Sequence, residues 1–259
     1  MKERHLWTRE EMILALNLYI KIPFGKISYR NKDIIALAKI IGRTPSSVAY
    51  RLVNYASCDP VLLSRGVSGM KGGHKKCMPY WDEFNSDREK FVYESEQILA
   101  KFRGTDIETQ YKDLILDIPS NLVGKTRTEE IKIRVNQNVF REIVLSNYDC
   151  KCALSGIDLQ ELLVASHIIP WAKNKEERLN PANGICFSSL YDKAFDQGLI
   201  SFTDNCMVLF SDRLKSNVGK KYYSEYFKTI EGRTLNKPVK YSLNPKFLEW
   251  HRDFVFNKK

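Results

Sequence analysis

The residues best suited to chemistry lie between positions 166 and 196. His167, one of only four histidines in the chain, ends a short apolar segment that is typical of a strand. Asn183 follows in a polar loop, and Asp192 and Asp196 are spaced to share one face of a predicted helix. These residue types could supply a general base, an orienting amide and hard oxygen ligands for a divalent ion.

The elements that must position these residues follow from local patterns. A helix is predicted over about 136–146, a strand within 161–171, and a helix over about 187–197 that Gly198 closes. Segments 199–203 and 207–210 form a plausible hairpin. Short strands beside helices indicate an α+β fold for this half of the chain.

The segment SHIIPWAKNKEERLNPANGICFSSLYDKAFDQGLISF, at positions 166–202, resembles the HNH nuclease family. It looks like the subgroup found among bacterial restriction and defence nucleases. The resemblance implies a ββα-metal finger, in which two short strands, a loop and a helix hold one divalent ion. It also implies that His167 is the general base that activates water, and that Asn183 pins the finger loop and helps to orient that histidine.

The same resemblance implies a ligand set with some unusual members. Asp192 and Asp196 stand nine and thirteen residues after the central asparagine, where several HNH enzymes carry metal ligands. Tyr191 occupies a position often held by histidine, and Ser166 stands where many relatives have an acidic or histidine ligand. Ser166 and Tyr191 are therefore possible phosphate or active-site contacts. Carboxylate ligands suit Mg²⁺ or Mn²⁺ better than Zn²⁺.

Positive charge is concentrated in the first half of the chain. The 259 residues include 41 Lys and Arg against 31 Asp and Glu, a formal net charge of +10. Segment 26–76 carries 10 basic and 2 acidic residues, an excess of 8 charges. This distribution favours a polyanionic partner for the first half, with double-stranded DNA as the expected one.

Three helices are predicted in that half. Thr8 and Glu11 form a capping box for the first, a second runs over about 32–41 before Gly42, and a third opens at Thr44-Pro45. The order is that of a helix-turn-helix. We expect the DNA-binding residues to be Ser46, Ser47, Tyr50, Arg51 and Asn54 on the outward side of the third helix, with Lys71, Lys75 and Lys76 in a glycine-rich basic loop at 65–76. An ordinary three-helix subdomain with a basic surface is the alternative.

The sequence predicts a helix-turn-helix or winged-helix-like domain over 1–104, a linker over 105–130 and an HNH nuclease domain over 131–259. A single longer helix is expected over about 81–102. No apolar run is long enough for a membrane span, and no secretory signal opens the sequence, so we expect a cytoplasmic protein. The six cysteines form no C-x-x-C pair, which disfavours a structural zinc site.

The leading hypothesis is a metal-dependent DNA endonuclease of the restriction type, either Type II or modification-dependent. A homodimer is expected, because one finger cuts one strand. A non-catalytic DNA-binding regulator with a degenerate finger is the alternative from another class. A nuclease directed at RNA or single strands is a third possibility, although no platform of stacking aromatic residues is evident.

Overall fold

The structure is a computed structural model that describes residues 6–67, 72–119 and 122–256. The chain divides into two compact units, Met1–Val139 and Phe140–Lys259. The described part is mainly helical and contains two small two-stranded sheets. The α+β class predicted from the sequence is confirmed. Within the described ranges, no helix has both the length and the apolar character needed to span a bilayer.

The first unit is built from helices. Their bounds are α1 Arg9–Lys21, α2 Lys32–Ile40, α3 Pro45–Tyr55, α4 Pro60–Ser64, α5 His74–Ser86, α6 Arg88–Phe102 and α7 Ile107–Gln110. The long helix α8, Gly124–Asn147, contains the division between the two units.

Side-chain caps explain where the first three helices begin. The Thr8 hydroxyl accepts from the Glu11 amide, and the Glu11 carboxylate accepts from the Thr8 amide, so the predicted capping box is present. Asn31 and Thr44 cap α2 and α3 in the same manner. Gly42, at a φ of 69°, makes the turn between those two helices. The order helix, turn, helix is thus observed, while its role in DNA binding stays a prediction.

One expectation for the first unit needs correction, while the expected linker and domain bounds stay predictions. The single helix over 81–102 is two helices, because the Asp87 carboxylate accepts from the Lys90 amide and starts α6 there. In the segment expected to be a linker, most described residues are exposed, but two apolar side chains are buried. Ile115 and Ile118 belong to a hydrophobic cluster with Tyr93, Ile131 and Val135. The division into compact units falls at 139/140, after the predicted linker.

The second unit carries the sheets. Its elements are β1 Leu163–His167, β2 Gly184–Ser188, α9 Ser189–Asp196, β3 Ile200–Phe202, β4 Val208–Phe210, α10 Asp212–Lys215 and α11 Pro245–His251. β1 pairs with β2 and β3 with β4, both antiparallel. The predicted strand before His167, the helix after Asn183 and the hairpin are all present, whereas α8 begins well before the predicted start at 136.

His251 is a packing residue of this unit. Its side chain is 1% exposed and its ring stacks on Phe195, with ring centroids 3.6 Å apart. Nε2 donates to the Phe195 carbonyl at 3.1 Å, which leaves Nδ1 to accept from the Ser201 hydroxyl at 2.9 Å. Burial lowers the pKa of His251 to about 4, partly opposed by the hydrogen bond to Phe195. The ring is therefore neutral in the folded chain.

This burial predicts a loss of stability in mild acid. Since the pKa in the unfolded chain is about 6.5, the unfolded state binds more protons between about pH 6.5 and 4, and stability falls as the pH falls through that window. At pH 5, protonation of His251 in the unfolded chain lowers the free energy of unfolding by about 2 kcal/mol. Urea unfolding at pH 7 and pH 5 measures it. His251→Gln should lose about 2 kcal/mol less than the wild type between these pH values, and an equal loss in both proteins would contradict the prediction.

Candidate active site

The candidate residues lie on a two-stranded ribbon and the helix that follows it. His167 pairs with Gly184, and Ser166 with Ile185, in the antiparallel register of β1 and β2. α9 starts directly after β2, so the order is strand, loop, strand, helix.

His167 is held between aromatic rings. It stacks on Phe140 at a centroid distance of 3.7 Å and meets the edge of Trp171 at 5.5 Å. Its Nε2 lies 2.9 Å from the Arg178 carbonyl and must donate to it, so Nδ1 carries the lone pair. Burial lowers the pKa of His167 to about 4, partly opposed by that hydrogen bond. The result is a neutral imidazole in one tautomer.

Arg178 is a positioning residue that sequence reasoning missed. Its guanidinium donates from Nε to the Trp171 carbonyl at 2.8 Å and lies over the Trp171 ring at 5.0 Å. These contacts place the backbone carbonyl that holds His167. No sequence motif marks a residue that acts through its carbonyl, since every residue has one. Only the fold of the loop reveals this role.

Asn183 organises the loop between the strands. The side chain is 1% exposed. Its Oδ1 accepts from the Ile169 amide at 2.8 Å, and its Nδ2 donates to the carbonyls of Ile169 at 3.1 Å and Glu177 at 3.2 Å. Glu177 immediately precedes Arg178, so these bonds hold the backbone that orients His167. A role of Asn183 in catalysis stays a prediction.

Asp192 of α9 and Ser166 of β1 come close together. Asp192 is half-buried in the first turn of α9, and burial raises the pKa of its carboxyl, with Ser166 and Lys193 acting in the opposite direction. The Ser166 hydroxyl is buried and makes no hydrogen bond of normal geometry, although it lies near enough to favour the ionised form of Asp192. A carboxylate and an unsatisfied hydroxyl are oxygen donors that a cation would satisfy.

The remaining candidates of this unit lie elsewhere. Asp196 is the last residue of α9 and is exposed. Tyr191 is 5% exposed, its hydroxyl donates to the Tyr226 carbonyl at 2.7 Å, and its ring meets the edge of Phe227. Tyr191 therefore packs against the segment around 226, and its hydroxyl is already engaged.

The donor set can be compared with the needs of a metal ion. No group of three or more Cys, His, Asp or Glu with metal-binding geometry occurs in the ranges that the structure describes. The donors that it does bring together are the Asp192 carboxylate and the Ser166 hydroxyl. Two oxygen donors fit a hard ion such as Mg²⁺, which keeps several waters and binds proteins through one or two carboxylates. They do not fit Zn²⁺, which prefers nitrogen and sulfur.

The DNA-binding candidates of the first unit are only partly on its surface. Arg51 and Asn54 are buried, at 8% and 2% exposure, so the expectation that they face outward is corrected. Arg51 lies over the Trp7 ring at 4.7 Å, on which Arg43 also lies. Ser46 and Tyr50 are exposed and Ser47 is half-buried. Lys75 and Lys76 are exposed in the first turn of α5 instead of a loop, and Lys71 is outside the described residues.

Comparison with known families agrees with this geometry. Residues 152–203 match the family model of the HNH endonucleases. The match includes β1, the pinned loop, β2, α9 and β3, and with them His167, Asn183 and Asp192. No curated protein matches the chain closely enough to serve as a named relative. The segment 152–203 is therefore similar to the HNH endonucleases.

Proposed function

We propose that this protein is a metal-dependent endonuclease that hydrolyses phosphodiester bonds in double-stranded DNA. One observation carries the proposal. His167 donates from Nε2 to the Arg178 carbonyl, and this hydrogen bond leaves Nδ1 as its basic atom. A neutral imidazole with one nitrogen held by a carbonyl is the arrangement a general base requires.

His167 acts by taking a proton from the attacking water at Nδ1. The water oxygen bonds to phosphorus, the bond to the 3′ oxygen breaks, and the imidazolium is stabilised by its hydrogen bond to the Arg178 carbonyl. A DNA phosphate bound beside the ring would raise the pKa of His167 from about 4 toward neutrality, because the negative charge favours the imidazolium. Asn183 keeps the loop, and through it the carbonyl, in place.

Asp192 and Ser166 are the residues that would hold a divalent ion, with Asp196 as a further candidate on α9. When bound, such an ion stabilises the charge that develops on the phosphate and the leaving oxygen. Asp192 is half-buried and its raised pKa reflects an ionised form that lacks full solvation. A cation beside the carboxylate would compensate for that lost solvation.

The first unit supplies the proposed DNA-binding surface. Its charge excess in segment 26–76, the α2–α3 pair and the exposed side chains of Ser46, Tyr50, Lys75 and Lys76 support contact with phosphates or base edges. We propose a role in restriction or defence, and action as a homodimer, since two fingers are needed to cut two strands.

The experiment that tests the proposal is digestion of plasmid and phage DNA, with and without base modifications, in Mg²⁺ or Mn²⁺. Cleavage that stops when EDTA is added would show that the activity depends on a metal ion. Sequencing of the cut ends would then give the offset between the cuts in the two strands and the DNA sequence at which they occur. Intact DNA under every one of these conditions would contradict the proposal.

Asp192→Asn tests the metal-binding role. We expect the Mg²⁺ concentration for half-maximal cleavage to rise by more than about tenfold, because a neutral amide is a weaker ligand than a carboxylate. The free energy of unfolding should not fall, since burial already disfavours the ionised Asp192. Asp212→Asn, which changes a fully exposed carboxylate of the same unit, is the matched control. An unchanged Mg²⁺ dependence in Asp192→Asn would exclude this ligand.

A non-catalytic DNA-binding regulator is the second candidate function. It is favoured by the lack of a three-ligand metal cluster among the described residues. The two functions differ in a direct assay, because a regulator shifts the mobility of DNA but leaves it uncut in every metal tested.

A further inference from the structure

The second unit contains a cavity that the proposed reaction does not use. Its volume is about 520 Å³. The first turn of α9 forms one wall, and segments 154–162 and 225–233 form the others. The register of the ribbon pairs Leu163 with Ser188 and His167 with Gly184. The cavity therefore lies at the opposite end of the strands from His167, about 13 Å along the ribbon.

The polar end of the cavity is the N-terminus of α9. Ser188 is the N-cap residue, but its hydroxyl makes no capping hydrogen bond. Ser188 is 5% exposed, and its side chain has no hydrogen-bond partner among the described residues although it lines the cavity. The Ser188 hydroxyl, which has no protein partner in the described ranges, and the helical amides beside it, which no side chain there caps, are donors that a bound anion could accept from.

Charged side chains surround that end. Arg233 lines the cavity, is exposed, and lies near enough to Tyr191 to act on its pKa electrostatically. No described residue forms an ion pair with Arg233. Glu225 also lines the cavity and pairs with Lys221 at 3.7 Å, so one carboxylate at the rim is partly neutralised. Arg233 with the helix N-terminus favours a phosphate.

The rest of the wall is apolar. Ile157, Leu162, Leu190 and Tyr226 are 38%, 46%, 43% and 49% exposed, and all of them line the cavity. A free inorganic phosphate would leave these side chains uncovered. A planar base would cover them, since nucleobases stack on aromatic and aliphatic side chains.

We propose that this cavity binds a nucleotide, with its phosphate at the N-terminus of α9 and Arg233 and its base against the apolar wall. The bound nucleotide has two candidate sources. One is a free nucleoside monophosphate, and the other is a nucleotide of the DNA that turns out of the double helix. For the second source, the inference rests on the proposed function. Because the cavity and His167 are at opposite ends of the ribbon, the bound nucleotide is not the one being cleaved.

Binding of the free nucleotide is tested with deoxynucleoside monophosphates by calorimetry, using His167→Ala, so that the measurement does not depend on cleavage. We expect Arg233→Gln to weaken binding about tenfold and Glu225→Gln to strengthen it about twofold, from the change of charge near the phosphate. Thr229→Trp places an indole at an exposed lining position and should abolish binding. Lys237→Gln, which removes one exposed charge away from the cavity, is the control.

The DNA source is tested with duplexes that contain 2-aminopurine at single positions, bound to the same His167→Ala protein. A fluorescence increase at one position, lost in Thr229→Trp but kept in Lys237→Gln, would assign the site to the substrate. Nucleotide binding without any such increase would assign it to a free nucleotide. The inference is overturned if nucleotides fail to bind at millimolar concentration, or bind equally to Arg233→Gln and Thr229→Trp. Cleavage by the wild type, measured separately, decides the proposed function.

Discussion

His167→Ala is expected to lower the rate of DNA cleavage at least about 10³-fold, because a positioned general base contributes about 10²–10⁴. DNA binding should persist, since the basic surface proposed to contact DNA belongs to the first unit. The measurement is single-turnover cleavage together with a gel-shift assay on the same duplex.

A histidine of the other unit provides the control. His74 is exposed at the start of α5, and its Nδ1 lies 3.0 Å from the Ser57 carbonyl. His74→Ala should cleave at close to the wild-type rate. If His167→Ala retains more than about one tenth of the activity, the assignment of His167 as general base is wrong. A His167→Ala protein that binds DNA and does not cut it supports the assignment.

The second large effect is expected at Asn183. Asn183→Ala removes one hydrogen bond to the Ile169 amide and two to the carbonyls of Ile169 and Glu177. These groups lie in the interior, so the free energy of unfolding should fall by about 3 kcal/mol. Cleavage should also fall by at least about tenfold, because the Arg178 carbonyl next to Glu177 would no longer hold His167 in one orientation. Chemical denaturation and single-turnover cleavage measure the two effects.

Asn183→Asp keeps the size of the side chain but removes the amide group that donates hydrogen bonds, so it separates the effect of these bonds from the effect of a lost side chain. The aspartate can still accept from the Ile169 amide, but its charge would face two carbonyl oxygens. We expect its stability at pH 7 to be at least as low as that of Asn183→Ala. The pKa of the new carboxyl should be raised in the folded state, so the difference from the wild type should narrow as the pH falls toward 4, where the protonated acid donates again. A pH-independent difference would contradict this account.

Asn180→Ala is a suitable control for both variants. Asn180 lies in the same loop, where its Oδ1 accepts from the Ala182 amide. Its Nδ2 also donates to the Glu177 carboxylate, and these two half-buried bonds should together be worth about 1–2 kcal/mol, less than the three bonds of the buried Asn183. If Asn180→Ala loses as much stability and activity as Asn183→Ala, then any substitution in this loop has the same effect, and the specific role of Asn183 is contradicted.

The elements around the candidate site were predictable because their signals are local. Thr8 and Thr44 cap helices within three residues of themselves, and the short apolar segment before His167 identifies a strand without knowledge of its partner. The single helix predicted over 81–102 was wrong because no glycine or proline marks the break. Asp87 interrupts the helix there by turning its side chain to the Lys90 amide.

Burial in the first unit was not predictable from residue type. Arg51 was expected to face outward as charged residues usually do, but its guanidinium lies on the Trp7 ring, 44 positions earlier in the chain. Residues of segment 105–130 were expected to be a linker from their mixture of glycine, threonine, proline and charge. The apolar side chains of Ile115 and Ile118 nevertheless pack against α6 and α8.

For the candidate site, residue patterns predicted the strand that ends at His167 and the helix that carries Asp192, while the second strand of the strand–loop–strand–helix unit was implied only by the resemblance to the HNH nucleases. The strands and helix of this unit form from neighbouring residues in the chain. The tautomer of His167, its lowered pKa and the pairing of Ser166 with Asp192 depend on contacts that exist only after the chain has folded. Periodicity shows which face of an element is apolar, but a hydrogen bond to one carbonyl and the loss of solvent around one ring are set by residues that folding brings together.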